Sequence, residues 1–523
     1  MSTPVLPAII DWSRHTRSLA ARFQNRTAAS DSLGGALRYE ELIGRAHALA
    51  AHLIDKGLAP GTPVASLLPN VLDATWVGLG IKLGGFAEVA LGWGYTADEL
   101  AWCARLSGAK TLIAPLERTA LAREAGFADL LSPEDIFSTT ASEPLPAVAG
   151  DIAGRIQFTS GTTGKPKGVL TTHARRWMGE QMQKAAWPFM PAPGSKILLM
   201  TPYVHGAGLL ATGWFDVGGE IVLHDGVDPH KVLGVLRKGD IAAMFAPPTV
   251  MAKLMTVLDG QALPPLQCIF TGTQPLARGL YERVRSVFGP VVRLTYGKTE
   301  CINPITTLAF NEIDEAFTDP LSQTATCTGW PAPGVEISIG RPDSNETTDG
   351  QDEIWLRAPQ LSEGMITTDG FAPHQPQGWH ATGDLGFLDP RGRLWLTGRV
   401  ADVIKTGGYR VNPDEVESTL SGMRCCTQAC VTSIASDYWG EVITVAIEQA
   451  RDGWREEIEQ RVQSLSRHKR PRLFVEFEAL PRNPQGKISR RKLREVILER
   501  YRLNDGPYPE LESINRETPP AQH

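Results

Sequence analysis

The sequence predicts an α/β fold with a large N-terminal domain of parallel-type sheets plus a β-rich subdomain, followed by a small α+β C-terminal domain. Strand-like and helix-like segments alternate from residue 39 to residue 298, as parallel sheets covered by helices require. After about residue 350 the strands are short and separated by Gly and Asp turns. A chain of 523 residues also exceeds what one hydrophobic core usually serves.

The first elements follow from periodicity and capping. Apolar residues between Tyr39 and Gly57 recur at the helical period, and Gly57 stands where a C-terminal cap belongs. A strand, "PVASLL", follows this helix. Thr96 and Glu99 have the spacing of a capping box, which predicts that another helix opens there, before the strand "KTLIA".

The same alternation returns after residue 219. The predicted strands are "EIVLH", "IAAMFA", "LQCIFTG" and "VVRLTYG", with helices between them that start at Pro229, Pro248 and Pro275. Proline is favoured in the first turn of a helix, where its missing N–H is not needed. This series therefore predicts a second parallel sheet.

The C-terminal part reads as a separate unit. Short strands such as "DEIWLRA" and "GRLWLTG" end at a break near Arg399 to Lys405, after which Asn412 and Pro413 begin a helix. Strands "QACVTSI", "ITVAIE" and "LFVEFE" then surround a helix near residues 454–466. We therefore expect a large domain over residues 1–400 and a mobile one over 401–523, and a loose polar tail, "NDGPYPELESINRETPPAQH", at the end.

Composition excludes several classes of function. The chain has 52 basic and 58 acidic side chains and a formal charge of −6, which gives no general attraction to nucleic acid. The most apolar segment, residues 74–92, is interrupted by Lys82 and Glu88, so no membrane span is expected. The first 19 residues lack the pattern of a signal peptide. Seven scattered cysteines predict reduced thiols in a cytoplasmic protein, with Cys425, Cys426 and Cys430 in buried strands rather than at a metal.

The stretch "FTSGTTGKPKG", residues 158–168, has the composition of an anion-binding loop. Small residues let backbone N–H groups approach a phosphate, and hydroxyl and ammonium groups add donors. It is not a Walker A motif, because Gly164 and Lys165 are followed by Pro166. Taken alone, this stretch is either a phosphate loop or a mobile Gly/Ser/Thr surface loop.

Five further motifs follow it in order: "PYVHGAG" (202–208), "YGKTE" (296–300), "ATGDLG" (381–386), "GRVADVIKTGGYRVNPDEVE" (398–417) and "PRNPQGKISRRKL" (481–493). Together the six stretches closely resemble the adenylate-forming superfamily of acyl-CoA synthetases, peptide-synthetase adenylation domains and luciferases. The chain is most similar to stand-alone bacterial acyl- or aryl-CoA ligases. The first 150 residues match that family only in pattern.

This resemblance implies an ATP-dependent carboxylic acid ligase. Such enzymes use ATP and Mg²⁺ to make an acyl-AMP and then pass the acyl group to coenzyme A. The partners would be a small-molecule carboxylic acid and an acceptor, and we expect a monomer or homodimer. An amide-forming ligase that uses an amine or amino acid as acceptor is the alternative. A catalytically silent ATP sensor is disfavoured, since the matched lysine, magnesium acid and ribose acid occur together.

The resemblance also implies the nucleotide site. Glu300 matches a magnesium ligand, Asp384 and Arg399 match ribose contacts, and the alternatives are a solvated loop acid, a turn and a surface ion pair. The assignment beneath adenine departs from the family pattern, because Thr273 and Gln274 stand where the family usually has two small residues. The complete implied set is Thr159, Ser160, Gly161, Thr162, Thr163, Gly164, Lys167, Gly272, Thr273, Gln274, Tyr296, Gly297, Thr299, Asp384 and Arg399.

Catalytic roles are implied for three residues. Lys487 matches the lysine that reaches the carboxylate and the α-phosphate, and His205 resembles a ring that borders the acyl site. Lys405, with Gly407 and Gly408 of the acceptor passage, matches a segment that faces the acyl-AMP after rotation about the hinge Asp402.

Ordinary alternatives remain for these residues: a solvated basic face, a core histidine and a plain turn. The segments 203–214, 271–274 and 296–304, expected to line the acid pocket, mix aromatic, small and polar groups. They favour a compact ring-bearing or medium-sized acid. Lys298 either faces this pocket or points to solvent.

Overall fold

The computed structural model describes residues 6–138, 144–159, 166–342, 351–423, 425–482 and 487–514. The helices are α1 Trp12–Phe23, α2 Tyr39–Asp55, α3 Leu72–Leu83, α4 Ala97–Ser107, α5 Thr119–Glu124, α6 His173–Ala185, α7 Gly208–Asp216, α8 Pro229–Leu236, α9 Pro248–Leu258, α10 Arg278–Phe288, α11 Phe310–Thr318, α12 Pro413–Thr419, α13 Trp454–Arg461 and α14 Arg490–Arg500.

The strands in the first half of the chain are β1 Ile9–Ile10, β2 Thr27–Asp31, β3 Ala36–Arg38, β4 Pro63–Leu67, β5 Ala87–Leu91, β6 Thr111–Ile113, β7 Asp129–Leu131, β8 Val148–Ala149, β9 Ala153–Thr159, β10 Lys167–Thr172, β11 Lys196–Leu199, β12 Glu220–Leu223, β13 Ile241–Phe245 and β14 Cys268–Thr271. The second half adds β15 Val292–Lys298, β16 Cys301–Leu308, β17 Thr326–Pro331, β18 Glu336–Ile339, β19 Asp352–Arg357, β20 Gly364–Thr367, β21 Gly370–Pro373, β22 His380–Leu388, β23 Leu394–Arg399, β24 Ile404–Thr406, β25 Tyr409–Val411, β26 Gln428–Ser436, β27 Gly440–Glu448, β28 Leu473–Phe477, β29 Tyr501–Asn504 and β30 Glu510–Ser513.

The chain packs into two compact units. The first consists of residues 1–315, 328–337 and 356–380, and the second of residues 316–327, 338–355 and 381–523. The second unit therefore contains all of the predicted mobile domain together with strands that precede residue 400. The predicted boundary at residue 400 separates a large domain from a mobile one, and this division stays a prediction.

The first unit contains two sheets with parallel strands. One runs in the order β21-β20-β10-β9-β5-β4-β6-β7, and the other includes β17-β16-β15-β14-β13-β11-β12-β2-β3. Six neighbouring strands of this second sheet, in the order β2, β12, β11, β13, β14 and β15, run parallel to one another. Their runs are almost entirely buried, as expected when helices cover both faces of a sheet. The predicted α/β class is thus confirmed in the first unit.

Helix α2 shows how the predicted patterns become structure. The backbone N–H of Arg38 donates to the Glu41 carboxylate at 2.8 Å, which satisfies a donor at the start of the helix. Leu42, Leu49 and Leu53 point into the main core and are fully buried, and each contributes about 2 kcal/mol of apolar burial. The helix ends at Asp55, two residues before Gly57, whose φ of +80° is the left-handed conformation of a C-terminal stop.

The second unit is an α+β arrangement around the sheet β25-β24-β27-β26, with β28 added parallel to β27. Alternate residues of β27 face opposite sides of this sheet. Ile443 and Val445 belong to the core that includes Ile458 of α13, whereas Val442 belongs to the core that includes Leu493 of α14. Both faces of the sheet are therefore covered, in agreement with the predicted α+β unit.

The prediction of a loose C-terminal tail is wrong for residues 504–513. Strands β29 and β30 pair in antiparallel register from Tyr501 with Ser513 to Asn504 with Glu510. The side chains of Leu503 and Leu511 pack against the core that contains Leu493. The Asp505 carboxylate also accepts hydrogen bonds from the Ser436 hydroxyl and the Asp437 backbone N–H, both at 2.6 Å, so apolar and polar contacts together dock this hairpin. Residues 515–523 of the predicted tail lie outside the described residues.

Arg490 stands at the centre of an ion-pair cluster in the second unit. Its guanidinium contacts Asp402 at 2.8 Å, Glu417 at 2.8 Å and also Asp414, and Nε donates to the Val431 carbonyl oxygen at 3.0 Å. Burial disfavours the charged form, but the surrounding carboxylates outweigh it and hold the pKa of Arg490 well above its usual value. One arginine thus joins helix α14 to the segment that begins at residue 402.

Two further sequence expectations concern membranes and thiols. No helix in the described ranges combines the length and the apolar composition needed to cross a membrane. All seven cysteines lie in the described part of the chain as free thiols, and all except Cys426 are buried. Cys430 lies in β26, whereas Cys425 and Cys426 precede that strand.

We predict that His47 makes folding sensitive to acid. Burial, with a smaller effect of Arg17, lowers the pKa of His47 to about 4. Its Nε2 lies 3.0 Å from the Thr16 hydroxyl oxygen, while Nδ1 has no hydrogen-bond partner in the described residues. Because the unfolded chain binds this proton more readily, the stabilisation is complete above about pH 6.5 and is lost as the pH falls toward 4.

The check is the free energy of unfolding, measured by urea denaturation across this pH range. His47→Gln should lose less stability than the parent on acidification, because glutamine does not titrate. His230→Gln, which changes an exposed histidine, is the control and should follow the parent. An unchanged slope in His47→Gln would exclude His47 as the responsible group.

We also predict that two neighbouring arginines of α14 differ strongly in their contribution to the free energy of unfolding. Arg490→Met should lower the free energy of unfolding by about 2–4 kcal/mol, since it leaves several carboxylates facing one another without a cation. Arg491→Met removes only an exposed pair with Glu495, both about half exposed, and should change it by less than about 0.5 kcal/mol. Equal denaturation midpoints for the two variants would contradict the role of Arg490.

Candidate active site

The predicted phosphate loop lies at the tip of a β-hairpin. Strands β9 and β10 pair in antiparallel register with Lys167 opposite Thr159, and the Trp102 indole N–H donates to the Pro166 carbonyl oxygen at 2.8 Å. Both ends of the loop are therefore fixed to the first unit. The remaining predicted loop residues lie outside the described residues: Ser160, Gly161, Thr162, Thr163 and Gly164.

The predicted adenine and nucleotide residues meet at the carboxyl ends of two parallel strands. Thr271 of β14 pairs with Leu294 of β15, which brings the turn at 272–274 beside the motif that begins at Tyr296. A Cβ atom at Gly272 would lie only 2.5 Å from the Thr295 carbonyl oxygen, so this position requires glycine. Thr273 has a φ of +70°, a conformation that costs a non-glycine residue some strain.

Gly297 has little room for a side chain, because a Cβ atom there would lie 2.9 Å from Cγ of Asn303. Strands β15 and β16 are joined by the turn that carries Thr299 and Glu300, with Lys298 opposite Cys301 in register. Thr299 and Glu300 are both half-buried. The turn therefore presents the magnesium candidate Glu300 at the same end of β15 as the predicted nucleotide residues.

A polar cluster that sequence reasoning missed supports Glu300. The backbone N–H of Ser362 donates to the Glu300 carbonyl oxygen at 2.7 Å, and the Ser362 hydroxyl lies 2.8 Å from Nε2 of His374. The rings of His374 and His380 are 4.5 Å apart. Burial, followed by the neighbouring His380, lowers the pKa of His374 to about 4, so this ring is neutral near pH 7. Isolated serine and histidine residues in a connecting segment gave no sequence signal for such a cluster.

The "PYVHGAG" motif forms a π-helical turn over Tyr203–Ala207. The Tyr203 backbone N–H donates to the Asn70 side-chain oxygen at 3.0 Å, and the Asn70 amide in turn donates to the His224 carbonyl oxygen at 2.8 Å. A Cβ atom at Gly208 would lie 2.3 Å from the Tyr203 carbonyl oxygen. The backbone of His205 is thus held in a tight turn, while its side chain lies outside the described part of the structure.

In the second unit, the two predicted ribose contacts are direct neighbours. Asp384 of β22 pairs with Arg399 of β23 in antiparallel register, and Arg399 Nε lies 3.3 Å from an Asp384 carboxylate oxygen. The Asp384 side chain is 9% exposed and that of Arg399 is 60% exposed. An acceptor-only carboxylate beside a solvent-facing guanidinium suits a ligand with vicinal hydroxyls. The sequence marked these two residues as ribose contacts only through the family resemblance.

The predicted hinge and acceptor passage occupy consecutive turns. Asp402 ends a short 3₁₀ turn and binds Arg490. Lys405 lies on β24 with an exposed side chain. Gly407 and Gly408, with φ of +55° and +83°, form the two-residue turn that joins β24 to β25, and hairpins of this kind favour glycine at both positions. The turn alone therefore accounts for both glycines, and their role in the acceptor passage stays a prediction.

Lys487 lies in a half-buried position just before helix α14. The neighbouring Ile488 pairs with Arg482 across the intervening loop, and the Ser489 backbone N–H donates to the Pro481 carbonyl oxygen at 2.9 Å. Residues 483–486 of the motif are outside the described residues. The lysine is thus placed at the base of a closed loop rather than on the exposed face of the helix.

The donor set suits a magnesium ion that is shared with phosphate groups. In the described ranges, no three His, Cys, Asp or Glu side chains converge to hold a metal. Magnesium in nucleotide sites takes one or two carboxylates and completes its coordination with phosphate oxygens and water. A single half-buried carboxylate, Glu300, fits that requirement.

Comparisons with known proteins agree with the fold and the motifs. Residues 17–366 match the family model described as AMP-binding enzyme. The chain is 31% identical over 501 residues to 3-[(3aS,4S,7aS)-7a-methyl-1,5-dioxo-octahydro-1H-inden-4-yl]propanoyl:CoA ligase of Mycobacterium tuberculosis, covering 87% of this chain and 93% of that one. It is 24% identical over 507 residues to 4-chlorobenzoate–CoA ligase of Arthrobacter sp., covering 94% of each.

Among solved structures, o-succinylbenzoate CoA synthetase (MenE) of Bacillus subtilis in complex with the acyl-adenylate intermediate OSB-AMP has a TM-score of 0.81 at 24% identity, covering 92% of this chain and 98% of that one. This similarity confirms the predicted fold class. The resemblance inferred from six short motifs is also confirmed, because the family model covers residues 17–366 and the two relatives match 87% and 94% of this chain. The chain belongs to the AMP-binding enzyme family.

Proposed function

We propose that this protein is an ATP-dependent carboxylic acid–CoA ligase that forms an acyl-AMP and transfers its acyl group to coenzyme A. The observation that carries this conclusion is the 31% identity to a CoA ligase over 87% of the chain. The relatives described above are named as acid–CoA ligases, so the amide-forming alternative is not favoured. ATP, coenzyme A and a small carboxylic acid are substrates consistent with the cytoplasmic location expected from the sequence.

In the first half-reaction, a carboxylate oxygen attacks the α-phosphorus of ATP and pyrophosphate leaves. The substrates supply the reacting bonds, and the protein contributes mainly positioning and charge neutralisation. We assign the pyrophosphate to the loop between Thr159 and Lys167, and the ribose to Asp384 and Arg399. Lys487 offsets the two anions, the carboxylate and the α-phosphate, as they approach each other.

The remaining nucleotide contacts belong to the carboxyl ends of β14 and β15. We place adenine against the turn that contains Gly272, Thr273 and Gln274, and the α-phosphate near Tyr296, Gly297 and Thr299. Mg²⁺ bound through Glu300 would supply charge neutralisation of the phosphates. His205, on the tight turn that follows Tyr203, would border the acyl group.

In the second half-reaction, the thiol of coenzyme A attacks the acyl carbon and AMP leaves. We propose that residues 401–523 rotate about Asp402 between the two steps, which brings Lys405 and the Gly407–Gly408 turn to the acceptor. Hinge residues of this kind absorb backbone rotation without contacting substrate. The position of Asp402 in a short turn between β23 and β24 supports this assignment.

We predict that Asp384→Asn raises the KM for ATP by about 10-fold or more, because a charged acceptor to the ribose hydroxyls is replaced by a neutral amide. The contact is made in both ground and transition states, so kcat should change less. Initial rates of pyrophosphate release at varied ATP give both constants. Asp452→Asn, which changes an exposed aspartate of the same unit, is the control, and an unchanged KM in Asp384→Asn would remove Asp384 from the site.

We predict that Lys487→Ala separates the two half-reactions. Acid-dependent ATP–pyrophosphate exchange should slow by roughly 10²- to 10³-fold, the scale for losing one preorganised donor. Transfer from supplied acyl-AMP to coenzyme A should persist. Lys492→Ala, which changes an exposed lysine of the following helix, should leave both rates unchanged.

The same experiment tests the acceptor. Lys487→Ala is given acyl-AMP with coenzyme A in one reaction and with an amine mixture in another, and the products are identified by mass spectrometry. We expect an enzyme-dependent thioester. An amide without thioester would overturn the coenzyme A assignment, and loss of transfer in both reactions by folded protein would refute the proposed division between the two steps.

A further inference from the structure

The first unit contains a cavity of about 370 Å³ between helices α1, α2, α3, α6 and α7. Part of its wall is apolar and aromatic, with Trp12, Tyr39, Leu42, Leu79 and Phe215 among its lining residues. This volume is in the range of small-molecule sites. Apolar walls with a few charged groups are also the usual composition of such sites.

Five charged side chains line the inner part of this cavity and are at most 8% exposed: Lys82, Glu88, Arg155, Arg176 and Glu180. Lys82 pairs with Glu180 at 3.0 Å, and Arg176 pairs with Glu88 at 2.7 Å. The described inner groups are therefore three potential cations and two carboxylates. The more exposed end has its own pairs, in which Asp216 binds both His15 and Lys184.

Arg155 shares the Glu88 carboxylate with Arg176 and is the more weakly paired of the two arginines. Its Nε lies 3.9 Å from the Glu88 carboxylate, beyond hydrogen-bond distance, and has no hydrogen-bond partner in the described residues. One terminal nitrogen donates to the Val204 carbonyl oxygen at 2.9 Å. The indole N–H of Trp12, another lining residue, also lacks an acceptor in the described part of the chain. Both N–H groups are buried within the cavity wall, and neither has an acceptor among the described residues.

A buried charge without a full partner is costly, and apolar side chains of similar volume would be cheaper. Folding alone therefore does not account for the excess of one cation in the cluster. A bound carboxylate would bring the inner groups to three cations and three anions. It would also give Arg155 a carboxylate partner that it does not share with Arg176.

The cavity also reaches the region where the acid is expected. Tyr203, Gly208 and Thr212 line it, and all three belong to the segment predicted to border the acid. Arg155 precedes Thr159, at the start of the phosphate loop, by four residues on β9. The acid-lining segment and the charged cluster therefore border one cavity, so an acid that extends inward from that segment has its far end at the cluster.

We propose that this cavity binds the distal part of the acid substrate, and that Arg155 binds a second carboxylate at the end remote from the reacting one. The substrate class is then a dicarboxylic acid of medium length. This inference rests on the proposed function for the identity of the reacting end, whereas binding of the second carboxylate depends on the cavity alone.

The first test compares suberic and sebacic acids with octanoic and decanoic acids as substrates, by pyrophosphate release and thioester formation. We expect kcat/KM to favour the dicarboxylic acids in the parent protein. Arg155→Met should reduce this preference by roughly 10- to 100-fold, the range for one hydrogen bond to a charged group. Arg155→Lys keeps a cation and should retain part of the preference.

The matched control is Arg293→Met. Arg293 is also a buried arginine of a strand, with one bond to a backbone carbonyl and an Nε without a partner in the described residues, but it does not line the cavity. Its replacement should leave the preference unchanged. Thermal unfolding of all variants identifies any that fail to fold.

The second test measures binding of suberate and octanoate by calorimetry without ATP. Suberate that binds the parent but not Arg155→Met supports the inference, even if no acid is turned over and the proposed ligase function fails. Equal binding and equal turnover of the two acid classes, or a preference that Arg155→Met leaves unchanged, would overturn the inference. Thioester formation from monocarboxylic acids alone would leave the ligase function intact.

Discussion

The buried ion pair between Glu88 and Arg176 joins strand β5 to helix α6 in the first unit. Glu88 lies on β5 opposite Arg155 of β9, and Arg176 lies on α6, which directly follows β10. The pair therefore ties both ends of the β9–β10 hairpin to the neighbouring parallel strand. That hairpin carries the predicted phosphate loop at its tip, so this contact anchors the two strands from which the loop extends. The same contact forms one wall of the cavity, so loop and cavity are parts of one arrangement.

Much of the fold was predictable because its signals are local. The capping box at Thr96 and Glu99 is present, the helices begin at Pro229 and Pro248 as expected, and the parallel strands are the continuous apolar runs. Such features depend on residues a few positions apart. The helix expected from Pro275 begins instead at Arg278.

Long-range features could not be read from the sequence. The cluster of Ser362, His374 and His380 below Glu300 joins segments more than 60 residues apart, and no local pattern marks it. The same is true of Arg490, which binds three carboxylates from residues 402–417. The docked hairpin of β29 and β30 was missed because composition does not reveal the hydrogen bonds that join Asp505 to the distant residues 436–438. In each case the decisive partner comes from a distant part of the chain.

An ion pair with Arg490 restrains Asp402, the residue proposed as the hinge. Arg490 is three residues after Lys487, and its remaining bonds go to Asp414, Glu417 and Val431, so it keeps three of its four partners if the contact with Asp402 opens. Rotation about Asp402 would then exchange one ion pair for hydration without loosening the base that supports the lysine. The proposed hinge residue and the segment that carries the proposed adenylation lysine are thus linked through a single arginine.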